Sequence, residues 1–182
     1  MSKPVKVLVR GPALTSSGYG VHCRQICRWI IAREKDWNLD ITFQVLPWGA
    51  TPWIINPDME NGLIGQIIER TKEPASKFDV SIQIQLPNEW DTSLATYNIG
   101  VTAAVETDRA TTEWIIACNK MNGVVFPSEH ARKSITNVGP ILVPNFVVPE
   151  AYGDAYMKDV SSLPDLGLEC DTSFNFLVVG QL

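Results

Sequence analysis

Three side chains in this sequence have the chemistry to move a proton at a polar site. Glu106 and Asp108 stand in VETD, at the C-terminal end of the strand-like run YNIGVTAAV. His22 stands in LTSSGYGVHCR, directly behind a Gly-rich turn. A carboxylate at the exit of a strand, or an imidazole on the first turn of a helix, can take a hydroxyl proton or orient the group that loses it. The turn Ser17-Gly18-Tyr19-Gly20 joins a strand-like segment to a helix-like one, so its backbone N–H groups and the helix dipole favour an anionic or polar ligand. Each feature also has a purely architectural reading. The turn can be a tight βα connection, Asp108 or Thr107 can cap the following helix, and Glu106 can be a solvated loop acid.

The elements that must hold these residues alternate. VKVLVR is a nearly continuous apolar run suited to a buried strand. YGVHCRQICRWIIAREK then carries apolar residues at helical spacing, with Ser16 or Ser17 near its N-cap. LDITFQVLPW reads as a second strand, LIGQIIERT as a helix and FDVSIQIQL as an alternating third strand. After YNIGVTAAV come the helix ATTEWIIACNKM, the strand GVVFPS, the helix SEHARKSITNVG and the strand PILVPNF. Ser128 is a natural N-cap for the last helix and Gly139 a natural C′ residue. Strand–helix alternation with short connections predicts an α/β fold, a Rossmann-like doubly wound parallel sheet in a single three-layer domain. The expected division is a domain over 1–149, a Gly-, Asp- and Ser-rich linker over 150–173, and a lone apolar strand over 174–182.

Composition narrows the function classes. At 182 residues, 45% hydrophobic and 19% charged, the chain suits one sizeable core. Its 15 basic against 20 acidic residues, a formal charge of −5, argue against a nucleic-acid partner. No apolar run reaches the roughly 18 residues of a membrane span, and MSKPVK is no signal peptide. Cys23, Cys27, Cys118 and Cys170, with His22 and His130, make no usual zinc spacing, so no metal is expected. With no Asn-x-Ser/Thr acceptor present, the cysteines read as reduced, in a cytoplasmic protein.

A nicotinamide dinucleotide is the first rival ligand for the turn, because SSGYG is similar to the SSG-x-G part of the short-chain dehydrogenase loop. Against it, six residues separate Gly11 from Gly18, and Gln44-Val45-Leu46 ends the second strand with no acid for a ribose hydroxyl. No Tyr-x-x-x-Lys pair occurs anywhere.

GPALTSSGYGVHCR, VETD followed by EWIIACN, and VVFPSEHARKSI, in that order, resemble the N-terminal domain of GT-B fold glycosyltransferases of the glycogen-synthase and sucrose-synthase group. ILVPNFVVPEAYG looks like the stretch leading out of that domain, and FNFLVVGQL like the first strand of the C-terminal domain. The resemblance implies transfer of a sugar from a nucleotide-sugar donor, bound as substrate with no further cofactor, to an acceptor hydroxyl. It makes Glu106 and His22 the catalytic candidates, with Ser17, Gly18, Tyr19, Gly20, Asp108 and Ser128 as binding candidates. Trp48, Trp53 and Trp90 in loops can stack on sugar faces or simply pack. The Glu-x7-Glu motif of the donor side does not occur, so a missing C-terminal domain or partner chain is expected to complete the cleft. The chain alone is then expected to be inactive, and a half-domain that binds a sugar or partner without catalysis is the alternative. An unpaired apolar strand at 174–182 would also favour a homodimer.

Overall fold

The structure is a computed structural model that describes residues 3–74 and 77–152, together with Ser161, Pro164, Gly167 and Thr172. The chain divides into two units, Met1–Ala151 and Tyr152–Leu182. The anticipated strand over 174–182 and most of the 150–173 linker lie outside the described residues.

The first unit is an α/β domain with one six-stranded, all-parallel sheet in the order β2-β1-β3-β4-β5-β6. In chain order the elements are β1 (Val5–Gly11), α1 (Gly18–Ile31), β2 (Leu39–Val45), α2 (Leu63–Arg70) and β3 (Phe78–Ile84). They continue as β4 (Ala95–Val101), α3 (Thr112–Cys118), β5 (Gly123–Phe126), α4 (Glu129–Thr136) and β6 (Asn145–Val147). The anticipated Rossmann-like, three-layer class is therefore present. β1 and β3 are neighbours while β2 lies on the far side of β1, so the chain reverses its direction of growth between β1 and β3. In open parallel sheets the crevice beyond the strand ends at such a reversal is where ligands bind.

Helix α1 buries Gly20, Cys23, Arg24, Cys27 and Ile30, a stripe at i, i+3, i+4 and i+7 spacing. That stripe, with Leu63, Ile64 and Ile67 of α2, packs on Val7, Val9, Ile41, Phe43, Ile84 and Val101 to make the larger core. On the opposite face Ile115, Cys118, Met121, Ala131 and Ile135 from α3, α4 and their connections close over Val124 and Phe126 of β5. Side chains alternate across a strand, so Val124 and Val125 must serve different layers.

No α-helix covers the crossover from β3 to β4. The ten residues 85–94 contain only a 3-10 turn, Pro87–Glu89, and side-chain amides from the sheet satisfy their backbone instead. Gln83 donates to the Asp91 carbonyl (2.7 Å) and accepts from the Asp91 N–H (2.8 Å). Asn98 donates to the carbonyls of Thr92 and Ala95, and its oxygen accepts from the Ser81 hydroxyl (2.7 Å). Arg10 at the end of β1 reaches Gln44, Gln85 and the Glu89 carbonyl, and burial pushes its guanidinium below its ordinary range. The alternation of FDVSIQIQL thus has a different cause from a half-solvated strand: Ser81, Gln83 and Gln85 are themselves buried, and their polarity serves the helix-free crossover.

Three boundaries differ from the sequence expectation. The last strand forms at Asn145–Val147 and not across PILVPNF, because Pro140 and Pro144 lack an N–H and the Leu142 N–H donates to the Asn119 side chain (2.7 Å). Helix α3 begins at Thr112 with Thr111 at its N-cap, so neither Asp108 nor Thr107 caps it. Helix α4 ends with Asn137 at its C-cap, which places Gly139 two residues beyond the cap.

Trp90 lies flat against β4 at Gly100, its indole N–H donating to the Gln83 carbonyl (3.0 Å), and a Cβ at position 100 would stand 2.6 Å from the ring. Gly100→Ala is expected to lower unfolding stability by about 1–3 kcal/mol in a urea titration. The same change in a Trp90→Leu background should lose less; equal losses in both backgrounds would show that the indole is not what excludes the side chain.

Candidate functional site

The loop from β1 to α1 is held from beneath. Arg24, 4% exposed, donates to the carbonyls of Ala13 (2.9 Å) and Thr15 (2.8 Å) and pairs with Glu60. The Thr15 hydroxyl donates to the Pro12 carbonyl (2.9 Å), and the Ser17 hydroxyl caps α1 by accepting from the Gly20 N–H (2.9 Å). At Gly20 a Cβ would meet the Thr15 carbonyl oxygen at 2.2 Å, so the second glycine of the turn is demanded by close packing. At Gly18 a Cβ would meet nothing within 4 Å. The Gly18 and Tyr19 N–H groups at the helix start have no partner among the described residues.

A cavity of about 230 Å³ opens at this helix start. Gly18, Tyr19 and His22 of α1 form one side, and Ile84 and Val101 at the ends of β3 and β4 form the floor. Thr102, Ala103, Glu106 and Glu150 complete it. It therefore sits beyond the carboxyl ends of the strands, at the reversal between β1 and β3.

Tyr19 ties the two sides together. Its hydroxyl lies 3.0 Å from the Thr102 hydroxyl and accepts from the Ala103 N–H (3.0 Å), while its ring stacks on Trp48 with centroids 4.1 Å apart. Burial raises the Tyr19 phenol above its ordinary range, against the lowering effect of both hydrogen bonds. Just beyond, Ala104 adopts a left-handed conformation (φ 58°) with its N–H on the Thr102 oxygen (3.2 Å). A non-glycine residue held there carries strain of order 1 kcal/mol, a cost met at sites that must redirect the chain. Glu106 follows that bend and is exposed.

His22 is only 13% exposed, and its Nδ1 lies 2.6 Å from Glu150 Oε1. Glu150, just beyond β6, was not among the sequence candidates; an acid immediately past a strand end was the signal available for it.

Of the candidates, the cavity gathers Gly18, Tyr19, His22 and Glu106. Ser17 and Gly20 lie behind it as cap and packing contact. Ser128 caps α4 by accepting from the Ala131 N–H (3.1 Å) and does not line the cavity. Asp108 is exposed, away from the lining, and its carbonyl accepts from Asn137 (2.8 Å). Trp90 packs in the crossover, Trp48 backs Tyr19, and Trp53 bridges Thr15. Cys23, Cys27 and Cys118 are buried free thiols; burial pushes Cys27 well up and Cys118 to about 12, which leaves neither a reactive thiolate. Among the described residues no group of His, Cys, Asp and Glu is placed to hold a metal ion, and no helix is long and apolar enough to cross a membrane.

No family model, no curated protein and no solved structure matches the chain.

Tyr19→Phe removes the hydroxyl's bonds to Thr102 and to the exposed Ala103 N–H and is expected to cost about 0.5–1.5 kcal/mol at neutral pH. Because folding raises the phenol's pKa, Tyr19 contributes its full stability below about pH 10 and loses it as pH rises further. The stability gap between the wild-type chain and Tyr19→Phe should narrow above pH 10 in denaturant titrations; a gap that widens there would contradict the assigned environment.

Proposed function

We propose that this chain supplies the acceptor-side domain of a glycosyltransferase that moves a sugar from a nucleotide-sugar donor to an acceptor hydroxyl. The observation that carries the reading is that one cavity, at the reversal point of the sheet, holds both Glu106 and His22 beside open helix-start N–H groups. Its volume, about 230 Å³, suits a group of monosaccharide size. It falls below the roughly 300–1,000 Å³ of sites that enclose larger ligands, which argues against a nicotinamide dinucleotide held here. Two carboxylates and an imidazole over an aliphatic floor suit hydroxyl donors on a ring with apolar faces.

The chemistry follows from those groups. Glu106 or His22 accepts the proton as the acceptor oxygen bonds to the anomeric carbon, and the bond from that carbon to the nucleoside diphosphate breaks. The negative charge gathering on the leaving phosphate needs donors. Among the described residues no lysine or arginine lines the cavity, so those donors are assigned to a second domain or a partner chain. The same observation favours the second reading, a domain that binds a sugar or partner without catalysing transfer.

Thermal unfolding of the chain against a panel of monosaccharides, disaccharides and nucleotide sugars tests binding. A ligand at 100 times its Kd should add about 2.7 kcal/mol of stability, and no rise with any member would contradict both sugar transfer and sugar binding, leaving only the binding of a partner. In a protein that carries the donor side as well, Glu106→Gln should lower kcat by about 10²–10⁴. Unchanged turnover removes Glu106 as the base, and sugar binding with no transfer in that protein supports the second reading.

A further inference from the structure

Helix α1 grips the chain just past β6 with two side chains one turn apart. Gln25 forms a paired amide contact with Ala151, donating from Nε2 to its carbonyl and accepting from its N–H (3.2 Å). On the other side of Glu150, the Val148 N–H donates to the Phe126 carbonyl of β5 (2.8 Å). Backbone anchors thus stand on both sides of Glu150, and its carboxylate is delivered to His22 Nδ1 at 2.6 Å.

The two atoms pair by distance, and a carboxylate oxygen beside Nδ1 favours the tautomer that carries its proton there. Among the described residues His22 Nε2 has no hydrogen-bond partner, yet no buried side-chain nitrogen or oxygen is left unsatisfied. Nε2 therefore keeps solvent access, on a residue that lines the cavity. We infer that Glu150 is a positioning residue: it fixes His22 in the Nδ1–H form and so presents the unprotonated Nε2 to a ligand hydroxyl. A carboxylate behind an imidazole fixes its tautomer and holds its ring plane. Glu106, the other acid lining the cavity, is then left to bind or take a second hydroxyl. The tautomer stands without the sugar-transfer reading; the use of Nε2 toward an acceptor rests on it.

The test is the long-range proton–nitrogen spectrum of the ligand-free chain, followed with rising pH until the histidine spectra no longer change. There are two histidines to assign, His22 and His130, and His130→Gln separates them. The expected spectrum shows His22 protonated at Nδ1 and bare at Nε2. Glu150→Gln keeps that pattern, since the amide oxygen can still accept, whereas Glu150→Ala moves His22 toward the Nε2–H form. A wild-type His22 protonated at Nε2, or one unmoved by Glu150→Ala, would overturn the assignment. If Glu150→Ala fails to fold, the wild-type and Glu150→Gln spectra decide the matter alone. Uridine diphosphate glucose and methyl glucoside are then added: a shift of the Nε2 resonance supports its role toward sugars. The expected tautomer with no such shift would overturn that role and leave the Glu150–His22 pair standing.

Discussion

A buried guanidinium sets the shape of everything around the cavity. Arg24 lies beneath the β1–α1 loop and holds the carbonyls of Ala13 and Thr15, with Glu60 completing its shell. A charge this deep is stable only when paired and hydrogen-bonded, and losing its partners would leave an uncompensated ion. The loop must therefore curl around it. That curl brings the Thr15 carbonyl against Gly20 and fixes Ser17 as the cap of α1. Gly18, Tyr19 and His22 emerge from the same turn toward the strand ends.

The sheet supplies the other side of the cavity by an equally specific arrangement. With no helix over the β3–β4 crossover, buried Gln83 and Asn98 take the place of helical hydrogen bonds, and Trp90 covers the bare surface at Gly100. The ends of β3 and β4 therefore lie side by side with Ile84 and Val101 as an aliphatic floor. Thr102 and Ala103 then meet the Tyr19 hydroxyl, and the left-handed turn at Ala104 leads the chain to Glu106. The exit from β6 adds Glu150 behind His22.

The alternating architecture was legible because each element declares its period: VKVLVR as a buried run, and α1 through Cys23, Cys27 and Ile30. The turn, His22 and Glu106 were legible as candidates because they fall at a helix start and a strand exit, where open α/β sheets bind ligands. What stayed hidden depends on contacts distant in sequence. Nothing local says that Ser81 and Gln83 face a helix-free crossover rather than water, or that Arg24 belongs beneath a loop. Asp108 is a good cap by residue type, but the Ala110 N–H is taken by the Ser134 carbonyl (2.9 Å) and the helix starts later. Glu150 reads locally as the start of a linker; the Gln25 clamp on Ala151 and the Val148 bond to β5 hold it beside His22.

The crevice between α1 and the ends of β3 and β4 is the proposed site for a hydroxylated ligand. Mapping backbone amide resonances during titration with glucose, methyl glucoside and uridine diphosphate glucose addresses it most directly. Saturable shifts are expected, concentrated at Gly18, Tyr19 and His22 and across Thr102 to Glu106. Shifts gathered elsewhere, such as the exposed Trp29–Arg33–Trp37 cluster on the far end of α1, or no shifts at all, would contradict it.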